Sequence, residues 1–94
     1  MENVIYLEFL GVVRLLVGGK EAAFGFQEEP TLNGLIEELA KKYGKEVKQE
    51  CLNQMIVLQS SGITDSRQLK WPEDQNVPLL KGSRVRFISM VTGG

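Results

Sequence analysis

Between Leu32 and Tyr43 the apolar residues Leu32, Leu35, Ile36, Leu39 and Tyr43 recur at helical spacing, and no other segment of the 94 residues carries that period at comparable length. One amphipathic helix cannot bury its stripe alone. The remaining apolar material comes in short alternating or continuous runs of strand type, so the chain has to cover a single main helix with a sheet. That is an α+β architecture. Thr31 supplies an N-cap hydroxyl, Pro30 biases Glu29 away from helix, and Gly44 is placed to end the helix at its C-cap. Asn33, Glu37, Glu38, Lys41 and Lys42 mark the wet face, and the spacing predicts charge pairs Glu37–Lys41 and Glu38–Lys42.

Before the helix, Val4 to Leu10 reads as a strand with Ile5, Leu7 and Phe9 on one face and Tyr6, Glu8 and Leu10 on the other. Val13 to Val17 reads as either a helical turn or a continuation of that strand, and Gly18-Gly19 gives the freedom to reverse. Lys20 to Gln27 then forms a second strand, hairpinned to the first. After the helix, Lys45 to Asn53 reads as a polar loop with a helical turn, and Gln54 to Gln59 as an interior strand. Ile63 to Pro78 is loop-like with a short strand near Arg67 to Trp71, and Ser83 to Val91 is the last strand. Cys51 reads as a small half-buried hydrophobe, and Trp71 as packed under the long loop.

The chemistry is narrowed by what is missing. With no histidine there is no Ser/His/Asp or Cys/His constellation and no imidazole metal site, and a single cysteine excludes tetrathiolate zinc, so no metal site is expected. No phosphate-cradling glycine motif occurs. Eleven Lys and Arg against twelve Asp and Glu, a net charge of −1, disfavour nucleic acid and membrane surface as direct partners. The apolar runs are too short to span a bilayer, and the lone cysteine suits a reducing compartment, so a cytoplasmic location is expected. Adjacent carboxylates at Glu28-Glu29, Glu37-Glu38 and Glu73-Asp74 point in different directions and read as solvated surface. The composition describes a protein that is acted upon.

On the last strand, period two separates Val85, Phe87, Ser89 and Val91, the inner set, from Arg84, Arg86, Ile88 and Met90. Ile88 and Met90 thus share an outward face with two arginines, as Leu10 does with Glu8 on the first strand. Apolar residues on an otherwise polar face mark a candidate partner surface, although single exposed aliphatics are common. The sequence closes on Thr92-Gly93-Gly94, and two terminal glycines arise by chance in about one chain in 200. Without side chains, such a segment can thread a channel too narrow for a Cβ and present its carboxylate.

Leu7-Glu8-Phe9-Leu10-Gly11 through Leu15-Leu16-Val17-Gly18, the helix start Thr31-Leu32-Asn33-Gly34-Leu35-Ile36, the Leu80-Lys81-Gly82-Ser83-Arg84-Val85 turn and the Val91-Thr92-Gly93-Gly94 end occur in the order and spacing of one family. Over nearly its whole length the chain resembles the ubiquitin-like β-grasp sulfur carriers: MoaD, ThiS, the ubiquitin-related modifier of tRNA thiolation and the archaeal small modifiers. Ser89-Met90 stands where MoaD-like chains carry two prolines, and the Gln59-Ser60-Ser61-Gly62 turn also departs from the pattern.

The resemblance implies a single β-grasp domain over 1–94, a mixed sheet on one main helix, with 92–94 as a flexible tail. It implies a carrier protein rather than an enzyme, with no permanently bound cofactor. An E1-like partner would use ATP to adenylate Gly94, and a sulfur donor would convert it to a thiocarboxylate, with Thr92 and Gly93 as the threading tether. A sulfur-accepting synthase or thiolation enzyme would then receive the sulfur, for molybdopterin or for tRNA. The alternative is a protein modifier joined to substrate lysines through Gly94. Leu10, Ile63 and Ile88 are the docking residues the resemblance implies, Ile63 by positional match alone, and Met90 joins them as a candidate from its outward place on the last strand.

Overall fold

The computed structural model describes residues 2–60, 62 and 65–89. Eight elements follow one another: β1 (Asn3–Leu10), α1 (Val12–Val17), β2 (Glu21–Phe26), α2 (Leu32–Tyr43), α3 (Lys45–Leu52), β3 (Met55–Gln59), β4 (Ser66–Leu69) and β5 (Arg84–Ile88). The strands form one mixed sheet in the order β2-β1-β5-β3-β4. The neighbours β1 and β5 run parallel, and every other neighbouring pair is antiparallel.

The core lies between one face of this sheet and the helices. Ile5, Leu7 and Phe9 of β1, Val85 and Phe87 of β5, and Ile56 and Leu58 of β3 point inward, as the period-two reading requires. Against them α2 buries Leu32, Leu35, Ile36 and Leu39, each fully removed from water and worth about 2 kcal/mol in transfer energy. The rings of Phe9 and Phe87, opposite one another in the parallel register, stack with centroids 5.9 Å apart, and Tyr43 meets Phe9 edge-on at 6.1 Å. Thr31 caps α2 by accepting the Gly34 N–H at Oγ1, 3.2 Å away.

Several local expectations are corrected. Of the two readings of Val13 to Val17 the helical one holds: Val12–Val17 is a helix, closed by Gly18 in the left-handed conformation at φ 73°. Lys45–Leu52 is also a helix, hidden by its polarity because it buries only Val47 and Cys51, one turn apart. Cys51 is fully buried, not half-buried. The short strand near Arg67 is Ser66–Leu69 and ends before Trp71, which packs against the core. The predicted helix charge pairs are replaced: Glu38 bonds Lys41 at 3.2 Å, Glu37 reaches across to Lys48 of α3 at 3.0 Å, and the Lys42 ammonium lies 5.3 Å from the centroid of Phe24 on β2. With α3 helical, Glu37 gains a cation from a neighbouring element that the sequence had not placed there.

Candidate functional site

The outward face of the sheet is divided into rows by register. Tyr6 of β1 stands beside Arg84 of β5 and Gln59 of β3, Glu8 beside Arg86 and Val57, and Leu10 beside Ile88 and Met55. Apart from Val57, the first two rows are polar and tied together. Glu8 Oε2 accepts from Arg84 Nη1 and from Arg86 Nε, each at 3.1 Å, and Arg86 Nη2 donates to Gln59 Oε1 at 3.1 Å. The Arg84 guanidinium also lies over the Tyr6 ring at 5.8 Å.

The third row differs in kind. Leu10, Ile88 and Met55 are three neighbouring apolar side chains, all half-buried, across three strands at the end of the sheet where β5 finishes. Leu10 and Ile88, singled out from sequence on separate strands, are direct register partners. Met55 was missed, although the alternation that turns Ile56 and Leu58 inward turns Met55 outward.

Beyond Ile88 the chain is held at Ser89. The Ser89 N–H donates to the Leu10 carbonyl at 3.1 Å, and Ser89 Oγ accepts the Val12 N–H at the same distance. Gly11 makes this approach possible. It sits at φ 104°, ψ −144°, and a Cβ there would overlap Ser89 Oγ. Ser89, placed in the inner set by alternation, therefore serves as a polar pin between β5 and the β1–α1 junction.

The junction leads into a second apolar surface that the strand-or-turn reading had hidden. In α1 only Val13 is buried. Val12, Leu15 and Leu16 are exposed, Leu15 by 77%, and Arg14 is the helix's one charged residue. A helix this short has no water-facing polar side to justify three exposed aliphatics.

Met90, Thr92, Gly93 and Gly94, together with Ile63, lie outside the described residues. Among those described, no cluster of His, Cys, Asp or Glu could hold a metal ion. The Cys51 thiol is pushed up to about 12 by burial, with the Glu50 charge adding to the effect, so it is protonated at neutral pH. The outward face thus carries a half-buried apolar row beside the pinned strand end, and α1 carries a separate exposed apolar surface. No helix among the described residues is long and apolar enough to cross a membrane.

No family model matches the sequence, and no curated protein matches it. Solved structures do match the fold. The Haloferax volcanii protein HVO 2177 superposes with a TM-score of 0.70 at 18% identity, over 99% of this chain and 88% of its own. Urm1 from Trypanosoma brucei gives 0.62 at 23% identity over 99% and 97%, and the small archaeal modifier protein SAMP1 from Methanosarcina acetivorans gives 0.64 at 12% over 100% and 99%. The chain has the ubiquitin-like β-grasp fold.

Proposed function

We propose that this chain is a sulfur carrier whose Gly94 is activated by an E1-like enzyme, and that the Leu10–Ile88–Met55 row is where that enzyme docks. A free carboxylate is ionised at neutral pH and is a poor acyl electrophile, so activation has to come from a partner. Attack of the Gly94 carboxylate on the α-phosphorus of ATP releases pyrophosphate and leaves an acyl adenylate. A hydrosulfide equivalent then displaces AMP and leaves the thiocarboxylate, which gives its sulfur to a synthase or thiolation enzyme in molybdopterin formation or tRNA thiolation.

The observation that carries this reading is the pinned strand end. Ser89, held by Leu10 and Val12, fixes the point from which the sequence runs on to Thr92-Gly93-Gly94, directly beside the half-buried apolar row. A partner bound on the row would meet the following residues from a fixed origin, which saves ordering entropy on binding.

A second reading shares the adenylate and differs in the nucleophile: a lysine amine attacks and Gly94 ends in an isopeptide bond. The name of the Methanosarcina neighbour, a modifier protein, favours keeping it. Intact mass of the full chain, after incubation with an E1-like enzyme, ATP and a sulfide donor, separates the two. Exchange of one oxygen for sulfur at Gly94 supports the carrier. Adenylate without sulfur gain supports the modifier, and no change with a competent enzyme rejects both. Ile88→Asp and Met55→Asp should each slow adenylation while leaving the fold intact, and unchanged kinetics in both folded variants would remove the row from the account.

A further inference from the structure

The two edges of the sheet are not equally protected. β4 is four residues long and carries Arg67 among polar neighbours, a short charged edge of the kind that discourages pairing. β2 is six residues long, and from Ala22 to Phe26 it reads Ala-Ala-Phe-Gly-Phe, with no charge and no proline. An open depression of about 360 Å³, lined by Tyr6, Leu7, Glu21, Ala22, Ala23 and Arg84, lies on the outward face over β2, β1 and β5 and leaves the free edge of β2 clear.

The direction of its free hydrogen bonds follows from one contact. The Phe9 N–H donates to the Lys20 carbonyl at 2.7 Å, which makes Lys20 and, every second residue along the register, Ala22, Phe24 and Phe26 the residues bonded to β1. Glu21, Ala23 and Gly25 therefore aim their backbone N–H and C=O groups away from the sheet. On the helix side, Phe24 and Phe26 pack against the core but remain half-exposed.

We propose that this edge pairs antiparallel with the β2 edge of a second copy of the chain, joining two sheets into one. A two-fold axis normal to the sheet keeps each side chain opposite one on the same face, so a single residue must sit on the axis. The two registers with the greatest overlap centre on Ala23 or on Phe24. The first sets Glu21 against the other copy's Gly25, and Gly25 is already covered by the Glu2 carboxyl group, whose carbon would lie 2.8 Å from a Cβ there. Like charges would meet at both ends.

The second register removes that conflict and adds complementarity. Phe24 faces its own copy and Ala22 faces Phe26, both on the helix side, while Ala23 and Gly25 exchange backbone bonds; just beyond the strand ends, where the chain bends, Lys20 of each chain comes near Glu28 of the other. Half-exposed aromatic surface is covered and opposite charges are paired at both ends. Lys42, now over Phe24, keeps its head in water by turning its flexible stem. We assign the pairing to the Phe24-centred register.

Sedimentation equilibrium of the full chain from micromolar to millimolar concentration should show a reversible monomer–dimer exchange. In a sample mixing labelled and unlabelled chains, isotope-filtered NMR should show contacts between the Ala22 methyl and the Phe26 ring. Within one chain these lie about 13 Å apart along the strand, too far for such a contact. Ala23→Pro removes an edge N–H that β1 does not use and should weaken the dimer about tenfold or more. Lys20→Glu and Glu28→Lys should each weaken it several-fold, and the two together should restore it. A chain monomeric throughout overturns the proposal, as does a dimer indifferent to Ala23→Pro or one that the paired charge reversal fails to rescue. The charge-reversal arm keeps the test decisive if the proline variant does not fold.

Discussion

Replacing Gly11 by alanine should destabilise the protein through two separable causes. Its φ of 104° with ψ −144° lies where a residue with a Cβ is strained by about 1–2 kcal/mol. The new methyl would also occupy the place of Ser89 Oγ, forcing Ser89 away and weakening its bonds to the Leu10 carbonyl and the Val12 N–H. At about 1 kcal/mol for each disturbed bond, halved for partial relaxation, the second cause adds about 1 kcal/mol. A total of about 2–3 kcal/mol lowers Tm by about 8–24 °C in a domain of this length. Ser89→Gly separates the two, because it removes the overlapping atoms and leaves the backbone of Gly11 untouched. In that background Gly11→Ala should cost only the conformational part, giving a coupling of about 1 kcal/mol in a double-mutant cycle read by urea denaturation. Equal costs in the two backgrounds, within about 0.3 kcal/mol, would refute the pin as a packed contact.

Thr31→Ala should lose the Gly34 bond at the start of α2 and cost about 1 kcal/mol, seen as a Tm lower by about 4–8 °C in a thermal melt. Cys51 should resist a disulfide reagent at pH 8 in the folded protein and react at the ordinary thiol rate once unfolded, because burial keeps its folded-state thiol protonated. The same shift predicts a stability contribution fully present below the unfolded value of 9.0 and lost as pH rises from there towards about 12, since only the unfolded chain releases the proton in that window. Urea midpoints across that range, compared with Cys51→Ala, check the sign.

Period-two alternation was enough to place Ile5, Leu7, Phe9, Val85 and Phe87 inside and Leu10 and Ile88 outside, because side-chain direction in a strand is a local property. It could not show that Leu10 and Ile88 are neighbours, since that depends on β5 entering the sheet parallel to β1 with 77 residues between them. Met55 was equally legible by alternation, but its run of four apolar residues masked which of them face out. α3 was concealed by having only Val47 and Cys51 to bury, too few to establish a period. The Ser89 pin had no sequence signal: a serine in an alternating strand reads as a weak core position until Gly11 is seen to lie beneath it.

The division of the outward face explains how a partly exposed apolar row can persist beside the strand end. Leu10, Ile88 and Met55 would favour any slip of β5 that buried them, and a slip by one residue would carry Val85 and Phe87 out of the core. The Glu8–Arg84–Arg86–Gln59 network crosses the same three strands next to that row and fits only the observed register, so polar specificity holds in place what hydrophobic burial alone would not. The β2 pairing proposed above leaves this arrangement intact. β1 and β5 run parallel within each chain and the two-fold axis reverses their direction, so the Ser89 ends of the two copies would fall at opposite ends of the joined sheet. Each copy could then meet an activating partner without the other in its way. The adenylation rate per chain should therefore be the same at native-chain concentrations below and above the dimer midpoint, and a rate that rose or fell with dimer fraction would show that the edge and the row are not independent.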